Sequence, residues 1–164
     1  VEDGDIVGFN AGSTVELVVD RLRARSFSAL TVVSLCLNVG VAVESVPQFV
    51  LIMPGGTLIR PTQVFGGANA VRFISELRVD KGFFGAVAVD VEAGWTHPEL
   101  EEVAISKQLL EVCTHSYLVA DSTSFGRTAV GKVCGLEDFD ALIVDSQLPD
   151  SVRKWAAATG TPII

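Results

Sequence analysis

DIVGFNAGSTVELVVDRL, Asp5 to Leu22, joins two different periodicities through one glycine. Ile6–Phe9 is a short unbroken apolar run, the pattern of a strand covered on both faces. Beyond Asn10-Ala11-Gly12-Ser13-Thr14, apolar residues recur at helical spacing as far as Arg23. A strand that breaks at a glycine and restarts as a helix leaves backbone N–H groups free to meet an anion. Gly12, Ser13 and Thr14 are therefore candidate ligand contacts. Ser13 followed three places later by Glu16 also fits a capping box, which closes a helix start without any ligand. Glu16 in that first turn would repel a phosphate.

The same alternation runs along the whole chain. Apolar runs predict strands at Ile6–Phe9, Leu30–Leu35, Phe49–Met53, Lys81–Val89, Tyr117–Ala120, Ala141–Val144 and Pro162–Ile164. Amphipathic stretches predict helices near Thr14–Arg23, Asn38–Glu44, Ala68–Leu77, Pro98–Val112, Thr128–Val133 and Asp150–Ala158. Strands alternating with helices point to one α/β domain spanning residues 1–164, with a mostly parallel sheet flanked by helices. In such sheets ligands sit beyond the carboxyl ends of the strands. The loops there read NAGST, CLN, PGGTLIRPTQVFGG, DVEAGWTHPE, DSTSFGR and DSQLPDS, rich in glycine, hydroxyl and acidic residues. Turn chemistry alone explains part of that enrichment.

Composition narrows the function classes. The 164 residues are 49% hydrophobic, enough for a sizeable single core. Twelve basic against twenty acidic residues leave a net charge of −8. That surface repels a nucleic-acid backbone, which binds chiefly by phosphate neutralisation. No apolar stretch reaches the roughly 18 residues of a membrane span, and no signal peptide is visible. Cys36, Cys113 and Cys134 are odd in number, far apart and set in apolar surroundings, so buried free thiols in a reducing cytoplasm are expected. His97 and His115 have no ligand-like spacing, and no metal or cofactor is expected. The chain opens Val1-Glu2-Asp3-Gly4 and its single methionine is Met53, which points to a piece of a longer protein.

A second glycine loop, PGGTLIRP, follows the third strand. Gly55 and Gly56 either shape a ligand loop or permit a turn, and Arg60 either reaches a ligand or is solvated. Neither the Walker pattern nor Gly-x-Gly-x-x-Gly occurs, so a nucleotide site has no support.

In order and spacing, NAGST, GGTL, VDKGFFGAVAVDVEAGWTHPELEE, LVADSTSFGR and GLEDFDALIVDSQLP resemble the C-terminal sensor domain of DeoR-type bacterial transcription regulators. The resemblance implies a fold related to ribose-5-phosphate isomerase and the coenzyme A transferases. It also implies a sugar-phosphate-type effector, a homo-oligomer, and DNA binding through an N-terminal winged helix-turn-helix absent from this chain. Onto the family's motifs fall Asn10, Gly56, Asp90, Glu102, Ser106 and Asp121 as ligand-binding candidates, beside Gly12, Ser13, Thr14 and Arg60.

Several positions depart from the family pattern. Asn10 stands where an aspartate is usual, Val87 replaces another, Ile59 intervenes before Arg60, and DSTSFG lacks the usual lysine. On the helix after GWTHPELEE, the family's inward lysine aligns with Ser106. At about 100° per residue, Val103, Leu109, Leu110 and Cys113 share a face centred on Glu102 and Ser106. Lys107 falls with Glu101, Gln108 and Glu111 on the solvated side. Glu102, a carboxylate on an apolar face, faces a polar cavity or a partner, because unpaired burial of charge is expensive; a helix start near water is the plain alternative. Losing a charged partner at a desolvated site costs about 2–5 kcal/mol, so the pocket is expected to be altered and less suited to phosphate.

Three functions follow in order. The first is effector sensing within a repressor of carbohydrate metabolism. The second is a vestigial pocket, filled by Leu35, Ile59 and Val87, in a domain serving oligomerisation. The third, an isomerase, is not expected, because its enediolate would lack a cation. Cys36 as a nucleophile is likewise outweighed by a structural thiol.

Overall fold

The apolar run Ile6–Phe9 forms β1, and the amphipathic stretch behind it forms α1 (Ser13–Arg23). The alternation continues with β2 (Leu30–Ser34), α2 (Leu37–Glu44), β3 (Phe49–Ile52), β4 (Thr57–Ile59), β5 (Val64–Gly66) and α3 (Ala68–Ser75). Next come β6 (Val79–Gly85), β7 (Ala88–Asp90), β8 (Gly94–His97) and α4 (Leu100–Val112). The chain closes with β9 (Cys113–Ala120), β10 (Gly131–Cys134), β11 (Ala141–Val144) and α5 (Asp150–Thr159). This computed structural model describes residues 1–60 and 62–164.

Six strands build one parallel sheet in the order β11-β9-β6-β1-β2-β3. Both faces are covered, as the unbroken apolar runs require. On β6, Phe83 stacks on Phe9 and Tyr117 toward α1 and α2, while its neighbour Phe84 points the other way into a cluster with Trp95 and Phe139. Of these, the fully buried Phe9, Phe84 and Trp95 each contribute about 1.5–3 kcal/mol by leaving water. Leu109 of α4 and Leu118 of β9 complete that second layer. Among the described residues the indole N–H of Trp95 has no hydrogen-bond partner.

The structure corrects four local expectations. Lys81–Val89 is not one strand. β6 stops at Gly85, and Ala88–Asp90 joins a separate antiparallel sheet ordered β10-β8-β7. A helix at Thr128–Val133 does not form. Gly131–Cys134 pairs instead with β8 as a strand, a tertiary contact overriding a short, glycine-interrupted helical pattern. The glycine loop after β3 contains a hairpin, with Thr57, Leu58 and Ile59 opposite Gly66, Phe65 and Val64. Finally, the capping box is absent. Gly12, at φ 126°, is the N-cap with no side-chain bond, so Ser13 is already helical. At the C-terminus, residues 162–164 add only a parallel bridge beside β11, Leu142 to Ile163.

Cys36 and Cys134 are buried and Cys113 is half-buried, all as free thiols. Burial pushes Cys113 and Cys134 up to about 12, which suits structural roles.

Candidate functional site

From β1 the chain crosses to β2 on one side, whereas β6 lies on the other side of β1 and leads toward β9. Loops leaving the carboxyl ends of β1 and β6 therefore diverge, and a crevice opens between them, as expected at a topological switch point. The crevice holds about 130 Å³. Asn10, Ala11 and Gly12 line it from β1, Glu16 from α1, and Gly85 and Val87 from the end of β6. Thr62 of the β4–β5 turn, His97 of β8 and Glu102 of α4 complete it.

Asn10 acts as a staple. Its Nδ2 donates to the Gly85 carbonyl at 2.9 Å, and its Oδ1 accepts from the Gly85 N–H at 2.7 Å. The amide thus continues the β1–β6 ladder beyond the last backbone pair, Phe9 with Phe83. A carboxylate at this position could accept but not donate, which accounts physically for asparagine. Gly85 must also lack a side chain, because a Cβ there would lie 2.6 Å from the Ala11 carbonyl oxygen.

Three elements meet at Glu102, which is 5% exposed. Its Oε1 accepts from the Thr62 hydroxyl, and its Oε2 lies 3.4 Å from Nε2 of His97. Nδ1 of His97 accepts from the Glu99 N–H at 3.1 Å, so the proton of the neutral ring sits on Nε2 and faces Glu102. Hairpin, small sheet and α4 are thereby tied together at one carboxylate. Glu16, freed from capping, accepts instead from Nδ2 of Asn38 at 3.1 Å. Burial raises the Cys36 thiol, and Glu16 and Glu102 push it the same way.

Of the residues singled out in the sequence, the structure brings Asn10, Gly12 and Glu102 together in this crevice. Ser13 and Thr14 border a different groove, with Asp121 and Asp145 at the ends of β9 and β11. Asp121 there accepts from the Thr123 N–H at 2.9 Å. Arg60 lines a third hollow with Leu37, Leu58 and Gln63. Gln63 holds φ 59°, an uncommon conformation for a residue other than glycine. Gly56, at φ 105°, turns the chain into the hairpin, where a Cβ would meet the Gly66 carbonyl oxygen. Asp90 accepts from the N–H groups of Ala93 and Glu92, which hold its carboxyl below the usual range. Ser106 is buried one turn from Glu102, and Lys107 is exposed.

Among the three side chains expected to fill a vestigial pocket, only Val87 lines the crevice. It is 53% exposed, whereas Leu35 is core and Ile59 packs against the core. The sequence left Thr62 and Gly85 unnoticed. His97, five residues before Glu102, was visible only as a histidine in a strand-end loop.

Comparison with known proteins follows the same lines. The sequence profile described as the DeoR C-terminal sensor domain matches residues 1–146. The HTH-type transcriptional regulator GlpR of Haloferax volcanii is 28% identical over 163 residues, covering 99% of this chain and 62% of its own. The lactose phosphotransferase system repressor of Staphylococcus aureus is 29% identical over 155 residues, covering 93% and 60%. The chain thus spans less than two thirds of these relatives. Ribose 5-phosphate isomerase from Plasmodium falciparum superposes with a TM-score of 0.54 at 11% identity, over 77% of this chain and 47% of that one. The eIF2B beta structure from Chaetomium thermophilum gives 0.52 at 16%, over 87% and 45%. At these identities the likeness is one of fold alone. Among the described residues no helix is long and apolar enough to cross a membrane.

Proposed function

The chain belongs to the DeoR C-terminal sensor-domain family, and from that premise we propose that it is the effector-sensing part of a DNA-binding repressor of carbohydrate metabolism. Its sugar-phosphate-type pocket is altered from the family pattern. The observation carrying this reading is the convergence of Thr62, His97 and Glu102, from three separate elements, on a crevice at the switch point of the sheet. A ligand hydroxyl entering there competes for Glu102 and so changes what holds the hairpin against α4. Occupancy becomes a change in how elements are tied, which is what a sensor must transmit. DNA contact belongs to a winged helix-turn-helix outside this chain, consistent with the net charge of −8. The regulator acts in the cytoplasm as a homo-oligomer.

Enzymatic turnover is not part of this reading. Among the described residues the crevice lining carries no lysine or arginine to stabilise an enediolate.

A second reading is favoured by size. The crevice volume lies below the ~300–1,000 Å³ of ordinary ligand pockets, while an apolar groove of about 500 Å³ lies between α3 and α4. On that reading the pocket is vestigial and the domain mainly holds subunits together. Melting curves separate the two. Sensing requires that a member of a panel of sugar phosphates, free sugars and inorganic phosphate raise the midpoint, and that Glu102→Ala abolish the rise. A panel without effect, together with a stable oligomer in sedimentation, favours the second reading.

A further inference from the structure

The family resemblance implies a phosphorylated effector, yet the crevice is built of the wrong charges for one. Its ionisable lining consists of Glu16, Glu102 and His97. Both ring nitrogens of His97 are turned to protein groups, Nδ1 to the Glu99 N–H and Nε2 toward Glu102. Asn10 spends one amide N–H and one oxygen lone pair on Gly85 and carries no charge. A phosphoryl dianion needs cations or several N–H donors in place of its water, and two carboxylates at close range repel it. The field is already felt by Cys36, whose thiol is raised by burial and further by both glutamates.

Neighbouring hollows do not supply what is missing. Arg60 lies in a hollow that shares no lining residue with the crevice. The groove bordered by Ser13 and Thr14 at the start of α1 carries Asp121 and Asp145. Lys107 is exposed on the other side of α4. For a polyol the lining is favourable instead. Glu16 gives one oxygen to Asn38, leaving its other oxygen to accept a hydroxyl. Glu102 already accepts a hydroxyl, that of Thr62, which is the kind of group a polyol would present, and Val87 in the lining offers an apolar contact for a C–H face.

We propose that the crevice recognises a polyhydroxylated metabolite without a phosphoryl group, read by Glu16 and Glu102 in a lining that, among the described residues, holds no lysine or arginine. This rests on the effector-sensing reading above and names its ligand class. The test is a melting series on the whole chain with erythritol, ribose, glucose and glucosamine, beside ribose 5-phosphate, glucose 6-phosphate, glucosamine 6-phosphate and inorganic phosphate at equal concentration. One unphosphorylated member is expected to raise the midpoint by about 5–10 °C at a hundredfold excess over Kd. Its phosphate ester should bind at least tenfold more weakly. Glu16→Gln, which removes the charge at this half-buried position but keeps an oxygen to accept from Asn38, should narrow that gap by about tenfold. A phosphate ester preferred over its parent, with the preference lost in Arg60→Ala, overturns this inference while effector sensing stands. No shift with any member overturns effector sensing, and this inference with it.

Discussion

Two consecutive glutamates on α4 face two different hollows. Glu101 borders the groove against α3, with Ala68, Val71, Leu100 and Ala104 around it. Glu102 closes the crevice at the ends of β1 and β6. The groove is nearly four times larger, at about 500 against 130 Å³, yet among the described residues nothing polar and buried lines it. In the crevice, a carboxylate accepts a hydroxyl from one element and lies 3.4 Å from an imidazole of another. Selectivity comes from convergent polar groups whose own partners are fixed, and size alone supplies none.

The sharpest way to break this contrast lies at Asn10. Asn10→Asp keeps the shape, removes the donor to the Gly85 carbonyl and puts a carboxylate at a position 6% exposed. The expected loss is on the order of 3 kcal/mol in urea denaturation; a loss within experimental error would mean the staple is not what holds β1 to β6 at the crevice. Next comes the glutamate pair. Glu102→Ala strands the Thr62 hydroxyl and His97 Nε2, costing about 1–3 kcal/mol, whereas Glu101→Ala should stay within about 0.5 kcal/mol. Equal effects would erase the distinction between the two hollows.

The smallest effect concerns a carboxylate outside both. Backbone N–H groups of Ala93 and Glu92 hold the Asp90 carboxyl below its ordinary value of 3.8. A lowered folded-state value means that its contribution is present above about pH 4 and fades as the pH falls through that lower value. The midpoint difference between the wild-type chain and Asp90→Asn should therefore be constant at neutral pH and shrink below pH 3.8. A difference that grows with acid would contradict the assignment.

Period and composition made the parallel sheet legible. Ile6–Phe9 and Ala141–Val144 form strands with the expected bounds, because unbroken apolar runs admit few alternatives. The short antiparallel pieces were hidden for the opposite reason. Gly131–Cys134 and Thr57–Ile59 are too brief to carry a period, and they become strands only because β8 and β5 lie beside them. At the site, the helical wheel placed Glu102 inward and Lys107 outward on α4, since both positions follow from one element's geometry. Thr62 is forty residues from Glu102, and its meeting with that carboxylate depends on how the hairpin docks. The spacing between Ser13 and Glu16 promised a cap, but the left-handed φ of Gly12 started the helix one residue early.

Trp95 and His97 are two residues apart on β8, so their side chains leave the strand on the same side. The indole is 1% exposed and sealed between Phe84 and Phe139, with no acceptor for its N–H among the described residues. A fluorophore in so dry a setting emits at short wavelength, set apart from the half-buried Trp155. If the crevice takes a ligand as proposed, a displacement of His97 would act along one strand on that ring, and a shift in the intrinsic emission is the expected label-free readout of occupancy.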